Sequence, residues 1–140
     1  MYEHQTAIRV RYAETDQMDI VYYGNYAQYF EVARAESIRE LGFTYKKMEE
    51  MGIRMPVVSM EARFLRPAHY DDLITVKTQL RELPAEHRID FFHEVFNEQN
   101  KLLTTGKVTL YFIDIATGKR TNMPRELAEK LTPFFENRVG

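Results

Sequence analysis

Asp16 and Asp19 stand three residues apart, just ahead of a cluster made of Tyr22, Tyr23, Asn25 and Tyr26. A carboxylate in such a place serves either as a nucleophile or as a general base that activates water. Asp is also common in turns, where its side chain bonds its own backbone, so a lone Thr15-Asp16 pair does not choose between chemistry and capping. Other chemistries have less to work with. The chain has no cysteine, which removes disulfides, thiolate nucleophiles and sulfur-ligated metals. His4, His69, His87 and His93 have no spacing that converges on a metal, and the closest two are six apart on an expected strand. There is no G-x-S-x-G elbow and no phosphate-binding glycine loop. The expectation is a site that uses neither metal nor cofactor.

The elements that must hold these residues follow from periodicity. Thr6 to Tyr12 alternates Ile8, Val10 and Tyr12 against Arg9 and Arg11, which predicts a first strand. Ala13 to Gly24 breaks the alternation. Tyr26, Tyr29, Phe30, Ala33, Ser37 and Leu41 then recur at helical spacing up to Gly42, predicting one long amphipathic helix. Glu31 and Arg34 read as an i,i+3 pair on its exposed side. A short second helix, a candidate flap, is predicted from the N-cap Thr44 through Met51, with Gly52 after its end.

From Met55 the period becomes two. Val58, Met60, Ala62 and Phe64 predict a second strand ending at Pro67, and Ile74 to Leu80 a third. A turn at Pro84 to Glu86 leads into a fourth strand, His87 to Asn97; a turn at Asn97 to Lys101 leads to a fifth, centred on Val108 to Phe112. A terminal helix is expected over Pro124 to Phe134. One helix covering a largely meandering antiparallel sheet is an α+β domain spanning residues 1–140. Large apolar groups on both strand faces, such as Phe91 against Phe92 and Phe96, point to further burial by another subunit.

Composition excludes several classes of partner. With 44% hydrophobic and 29% charged residues and a net charge of −2, the chain has neither a disordered character nor an extended nucleic-acid footprint. Met1 to Tyr12 lacks a basic segment followed by a long apolar one, and no run approaches the roughly 20 apolar residues of a membrane span. A soluble, unprocessed cytoplasmic protein is expected.

Arg9 to Arg34 strongly resembles the opening motif of the 4-hydroxybenzoyl-CoA thioesterase family, including its short-chain acyl-CoA branch. The shared features are a strand, Thr15-Asp16, Ile20-Val21, Tyr22-Tyr23, and Asn25-Tyr26 at the head of the central helix. A second block, Ala62 to Ala68 followed by Tyr70 to Leu73, is similar to that family's junction between second and third strands. The position three after the family's aspartate is usually Gly and is Asp19 here. Asp tolerates left-handed backbone, but a second carboxylate beside Asp16 disfavours ionisation of one of them.

The resemblance implies a hotdog fold, a curved antiparallel sheet of about five strands wrapped around one long helix. It further implies a homodimer or homotetramer with the active site between subunits. The implied reaction is hydrolysis of a short-chain or aromatic acyl-CoA, with Asp16 as nucleophile or base and the Tyr23 backbone amide as oxyanion donor. A thioester carbonyl is electrophilic and its thiolate leaves readily, so an attacking group and one oxyanion donor suffice. The start of the long helix offers unpaired N–H groups a few residues after Asp16. Tyr22, Asn25 and Tyr26 are then expected to contact substrate, and Arg63, Arg66 and Arg88 are candidates for the phosphates of CoA. The alternatives are an acyl-carrier-protein thioesterase and a non-catalytic acyl-CoA or small-ligand binding protein.

Overall fold

The residues at helical spacing form α1, Tyr26–Glu40, in a computed structural model that describes residues 1–136. Tyr26, Tyr29, Phe30, Ala33, Ser37 and Ile38 make its buried stripe. The helix ends where Gly42 takes a left-handed φ of 80°, a conformation that costs glycine little. Helix α2, Tyr45–Glu50, begins where the Thr44 hydroxyl accepts the Lys47 amide at 3.0 Å, and Gly52 stops it with φ 84°. Helix α3, Arg125–Leu131, starts one residue later than expected, with Pro124 as its N-cap.

Five strands form one antiparallel sheet: β1 (Tyr2–Arg9), β3 (Val57–Phe64), β4 (Leu73–Leu80), β5 (Arg88–Phe96) and β6 (Leu102–Tyr111), in the order β1-β4-β5-β6-β3. A two-residue ladder, unforeseen in the sequence, pairs β2 (Ile53–Arg54) with β7 (Ile113–Asp114). Alternation sets the inner face, with Ile74, Val76 and Leu80 of β4 and Ile89, Phe91 and Val95 of β5 buried under α1. Phe30 is fully buried, worth roughly 1.5–3 kcal/mol. It lies where a Cβ on Gly106 of β6 would come within 2.5 Å of its ring, so that strand needs a residue without a side chain there.

Three expectations are corrected. The first strand begins at Tyr2 and ends at Arg9, because Tyr2 to Arg9 pairs residue by residue with Leu80 to Leu73; Tyr12 belongs to a short 3₁₀ turn, Tyr12–Glu14. The fifth major strand begins at Leu102, six residues early, because Leu102 to Tyr111 is hydrogen-bonded on both sides. The sheet is a meander only over β4-β5-β6. After β3 the chain crosses to the other side, leaving β3 as a free edge beside β6. Phe92 and Phe96, on the outer face, are covered within the chain by cations: the Arg81 guanidinium is 3.8 Å from the Phe92 centroid and the Lys77 ammonium 5.5 Å from that of Phe96. No helix among the described residues is long and apolar enough to cross a membrane.

Candidate active site

The loop between β1 and α1 is built around Glu14. Its carboxylate, almost fully buried, accepts the Arg11 amide at 2.8 Å, the Arg11 guanidinium at 3.1 Å and the Tyr29 hydroxyl of α1 at 3.0 Å. Burial alone would raise this carboxyl, but those three donors together hold it below its ordinary value. The Glu14 carbonyl accepts the Tyr22 amide at 2.9 Å and the Asn25 side-chain amide at 2.8 Å, which ties the loop to the head of α1.

Within that frame Asp16 opens a tight turn. Its amide donates to the Ile20 carbonyl at 2.8 Å, its carbonyl accepts the Asp19 amide at 3.0 Å, and Asp19 adopts φ 61°. Asp tolerates this left-handed conformation better than most residues, so the turn closes without a glycine. The Asp16 Oδ1 accepts the Met18 amide at 2.8 Å, which orients the carboxylate; Oδ2 has no hydrogen-bond partner among the described residues. The strand-end block supplies the opposite wall. Ile20 bridges to His69, and the Val21 amide donates to the Ala68 carbonyl at 2.8 Å.

Between these walls lies an open cleft of about 290 Å³ that contains Asp16, Tyr23, Tyr26, Phe64 and Arg66. The Phe64 ring sits 6.0 Å from that of Tyr23 and 5.4 Å from that of Tyr26. Residues 23–25 form a 3₁₀ turn that runs into α1, and among the described residues the Tyr23 and Gly24 amides have no acceptor. Two unpaired N–H groups at a helix head attract developing negative charge. Tyr26 is buried, which raises its phenol pKa.

The remaining expected residues are distributed unevenly. Tyr22 lies beside Tyr23 at 4.7 Å between ring centroids and is half exposed. Asn25 is held by the Glu14 carbonyl. Arg66 donates to the Leu102 carbonyl at 3.0 Å while lining the cleft. Arg63 and Arg88 line other surface depressions, and Arg88 pairs with Asp90 at 3.1 Å. One chain does not bring these two to Asp16. Glu31 and Arg34 do not form the expected surface pair, since Arg34 is 5% exposed and takes part in none of the ion pairs among the described residues. Arg34 falls four residues from both Phe30 and Ile38, a spacing that places it on the buried stripe. Glu14 has no sequence signal beyond its i,i+3 relation to Arg11. No cluster of three or more acidic, His or Cys side chains among the described residues is grouped to hold a metal ion.

Comparison with known proteins agrees with this architecture. The model of the thioesterase-like superfamily matches residues 10–131. A DHNA-CoA thioesterase from Staphylococcus aureus is 36% identical, covering 96% of this chain and 92% of its own, and superposes with a TM-score of 0.90. YbgC of Escherichia coli, an acyl-CoA thioester hydrolase, is 25% identical over 86% of this chain and 89% of its own. A 4-hydroxybenzoyl-CoA thioesterase, 21% identical with a TM-score of 0.82 over 93% of this chain and 99% of its own, shares the fold. With the family match spanning nearly all of the described residues, the chain belongs to the thioesterase-like superfamily and is a hotdog-fold thioester hydrolase.

Proposed function

We propose that this enzyme hydrolyses an aromatic or short-chain acyl-CoA to the free acid and CoA, with Asp16 as the catalytic carboxylate and the Tyr23 amide as the oxyanion donor. The single observation that carries the reading is the cleft lined by both Asp16, whose Oδ2 has no partner among the described residues, and Tyr23, whose amide has none, within an aromatic surround. The relatives named for acyl-CoA hydrolysis support CoA as the carrier, and the similarity to a DHNA-CoA thioesterase supports an aromatic acyl group.

The chemistry runs from these atoms. Oδ2 either attacks the thioester carbonyl carbon, forming a mixed anhydride that water then hydrolyses, or takes a proton from a water that attacks instead. In both routes the carbonyl oxygen gains charge, which the Tyr23 amide meets with a preorganised hydrogen bond. The C–S bond breaks and CoA leaves as its thiolate. Arg66 at the mouth of the cleft is suited to a phosphate of CoA, as is Arg63 or Arg88 of a second copy.

The free β3 edge supports a homodimer. It exposes Val57, Val58, Met60, Phe64 and, just beyond, Leu65, and an apolar edge with unpaired backbone groups pairs readily with another strand. Thiol release from a panel of aromatic, branched and short aliphatic acyl-CoA esters tests the reading. Turnover concentrated on aromatic or short esters is the expected result; binding of every ester with no thiol release contradicts it.

A further inference from the structure

A second cavity, about 240 Å³, lies between α1, α2 and the start of β3 and shares no lining residue with the Asp16 cleft. Its walls include Met48, Met55 and Val57, and its lining also holds Arg34 and Tyr45. Arg34 is 5% exposed, its Nε has no hydrogen-bond partner, and no ion pair among the described residues includes it. The Tyr45 hydroxyl is likewise buried, and among the described residues its one polar neighbour is the Arg34 guanidinium, which can donate to the phenol oxygen and leaves the phenol proton unmatched. Burial raises that phenol, against the opposing pull of the Arg34 charge, so it remains a donor. Glu31 and Glu49 also line the cavity but are exposed residues, where water and salt screen their charge.

A guanidinium withdrawn from water without a counter-charge is costly, as is a buried hydroxyl whose proton has no acceptor. A buried donor left unmatched in a native protein calls for an explanation, and a bound ligand is one. Both groups here are donors and one is a cation, so the complement they lack is an anionic oxygen pair with apolar atoms behind it. An apolar cavity of about 150 Å³ accommodates benzene, so this one has room for a substituted ring.

The strand that separates the two cavities gives them a common purpose. Val57, at the start of β3, lines the groove, and Phe64, at its end, lines the cleft. Antiparallel pairing of β3 with the same strand of a second copy, the dimer proposed above, would place the groove of one copy beside the cleft of the other, since Val57 of each would then face Phe64 of its partner.

We propose that the Arg34–Tyr45 groove receives the acyl group of a thioester held at the Asp16 of a second copy, and that it selects a ring bearing a carboxylate. This rests on the reading of Asp16 given above. A site with buried donors discriminates strongly against an analogue that leaves them unmatched.

The test compares kcat/KM on 4-carboxybenzoyl-CoA, 4-methylbenzoyl-CoA and 4-hydroxybenzoyl-CoA for the wild type, Arg34→Met, Tyr45→Phe and Asp16→Asn. The wild type should favour the carboxylated ester over the methylated one by more than about tenfold. Arg34→Met and Tyr45→Phe should each bring that ratio toward one, while Asp16→Asn should lose turnover on all three. Equal losses on both esters, no preference in the wild type, or preference for the hydroxylated ring would overturn the proposal. So would an Arg34→Met protein that falls to monomer in light scattering, since its missing counter-charge would then be the other subunit. Tyr45→Phe carries the comparison should Arg34→Met fail to fold. An Asp16→Asn enzyme that still hydrolyses refutes the active-site reading itself; loss at Asp16 with an unmoved ratio refutes only the groove.

Discussion

His93 should make the fold acid-sensitive well above the pH at which ordinary carboxylates titrate. Its ring is 1% exposed and stacks at 4.7 Å and 3° on Phe30, and Nδ1 lies 3.0 Å from the Thr78 hydroxyl while Nε2 has no partner among the described residues. Burial, with the Arg34 charge adding to it, pulls the imidazole down to about 3. An unfolded histidine titrates near 6.5. The folded value is the depressed one, so the stabilisation is complete above about 6.5 and drains away as pH falls toward the folded value. Between pH 7.5 and pH 5.5 this histidine alone removes about 1.4 kcal/mol, a figure that holds for any folded value well below 5.5. That corresponds to a drop of roughly 3–6 °C in Tm for a domain of this size. His93→Phe keeps the aromatic stack, strands the Thr78 hydroxyl at a pH-independent cost of about 1–3 kcal/mol, and should remove the slope. Urea unfolding of both proteins at the two pH values measures it. Equal pH slopes in the two proteins, or an imidazole signal that titrates near 6.5 by NMR, would refute the reasoning.

Glu14→Gln should cost about 1–2 kcal/mol at pH 7, since it replaces charge-assisted bonds with neutral ones and the Arg11 side chain is exposed enough for its share to be discounted. Because the folded carboxyl is depressed, the gap between wild type and variant should close as pH falls below about 4.3, which unfolding curves in acid will read. Gly106→Ala should destabilise by about 1–3 kcal/mol in urea, because its methyl group would meet the fully buried Phe30 ring. At Asp19, φ 61° predicts that Asp19→Gly leaves Tm nearly unchanged while Asp19→Val loses about 1–2 kcal/mol.

Local signals carried α1 and α2 almost to the residue. Thr44 caps because its hydroxyl reaches an amide three residues on, and Gly42 and Gly52 stop helices because they accept positive φ; each is decided within one turn of chain. The ends of β1 and β6 were hidden for the opposite reason. Glu3, His4 and Gln5 have weak strand preference and become strand only by pairing with Lys77 to Gln79, more than seventy residues away. Thr104, Thr105 and Gly106 do not alternate in hydrophobicity because the inner-face positions are the buried Thr104 and Gly106, which must admit Phe30. The residues of the cleft lie in two short motif blocks, so Asp16, Tyr23, Tyr26 and Arg66 could be nominated from sequence. Arg63 could have been separated from them in advance: it neighbours Phe64, and side chains alternate along a strand, so the two address opposite faces. The charge of Arg34 points to the surface, whereas its spacing from Phe30 and Ile38 places it among buried positions.

The most direct measurement is kcat for Asp16→Asn, with CoA-ester binding and Tm taken on the same preparation. Asn keeps an oxygen for the Met18 amide, so the turn and the fold should persist, and substrate should bind as before. An amide neither attacks a thioester nor takes a proton from water, so kcat should fall by at least about 100-fold. A variant that folds, binds and hydrolyses near the wild-type rate would contradict the assignment of Asp16 and the mechanism built on it.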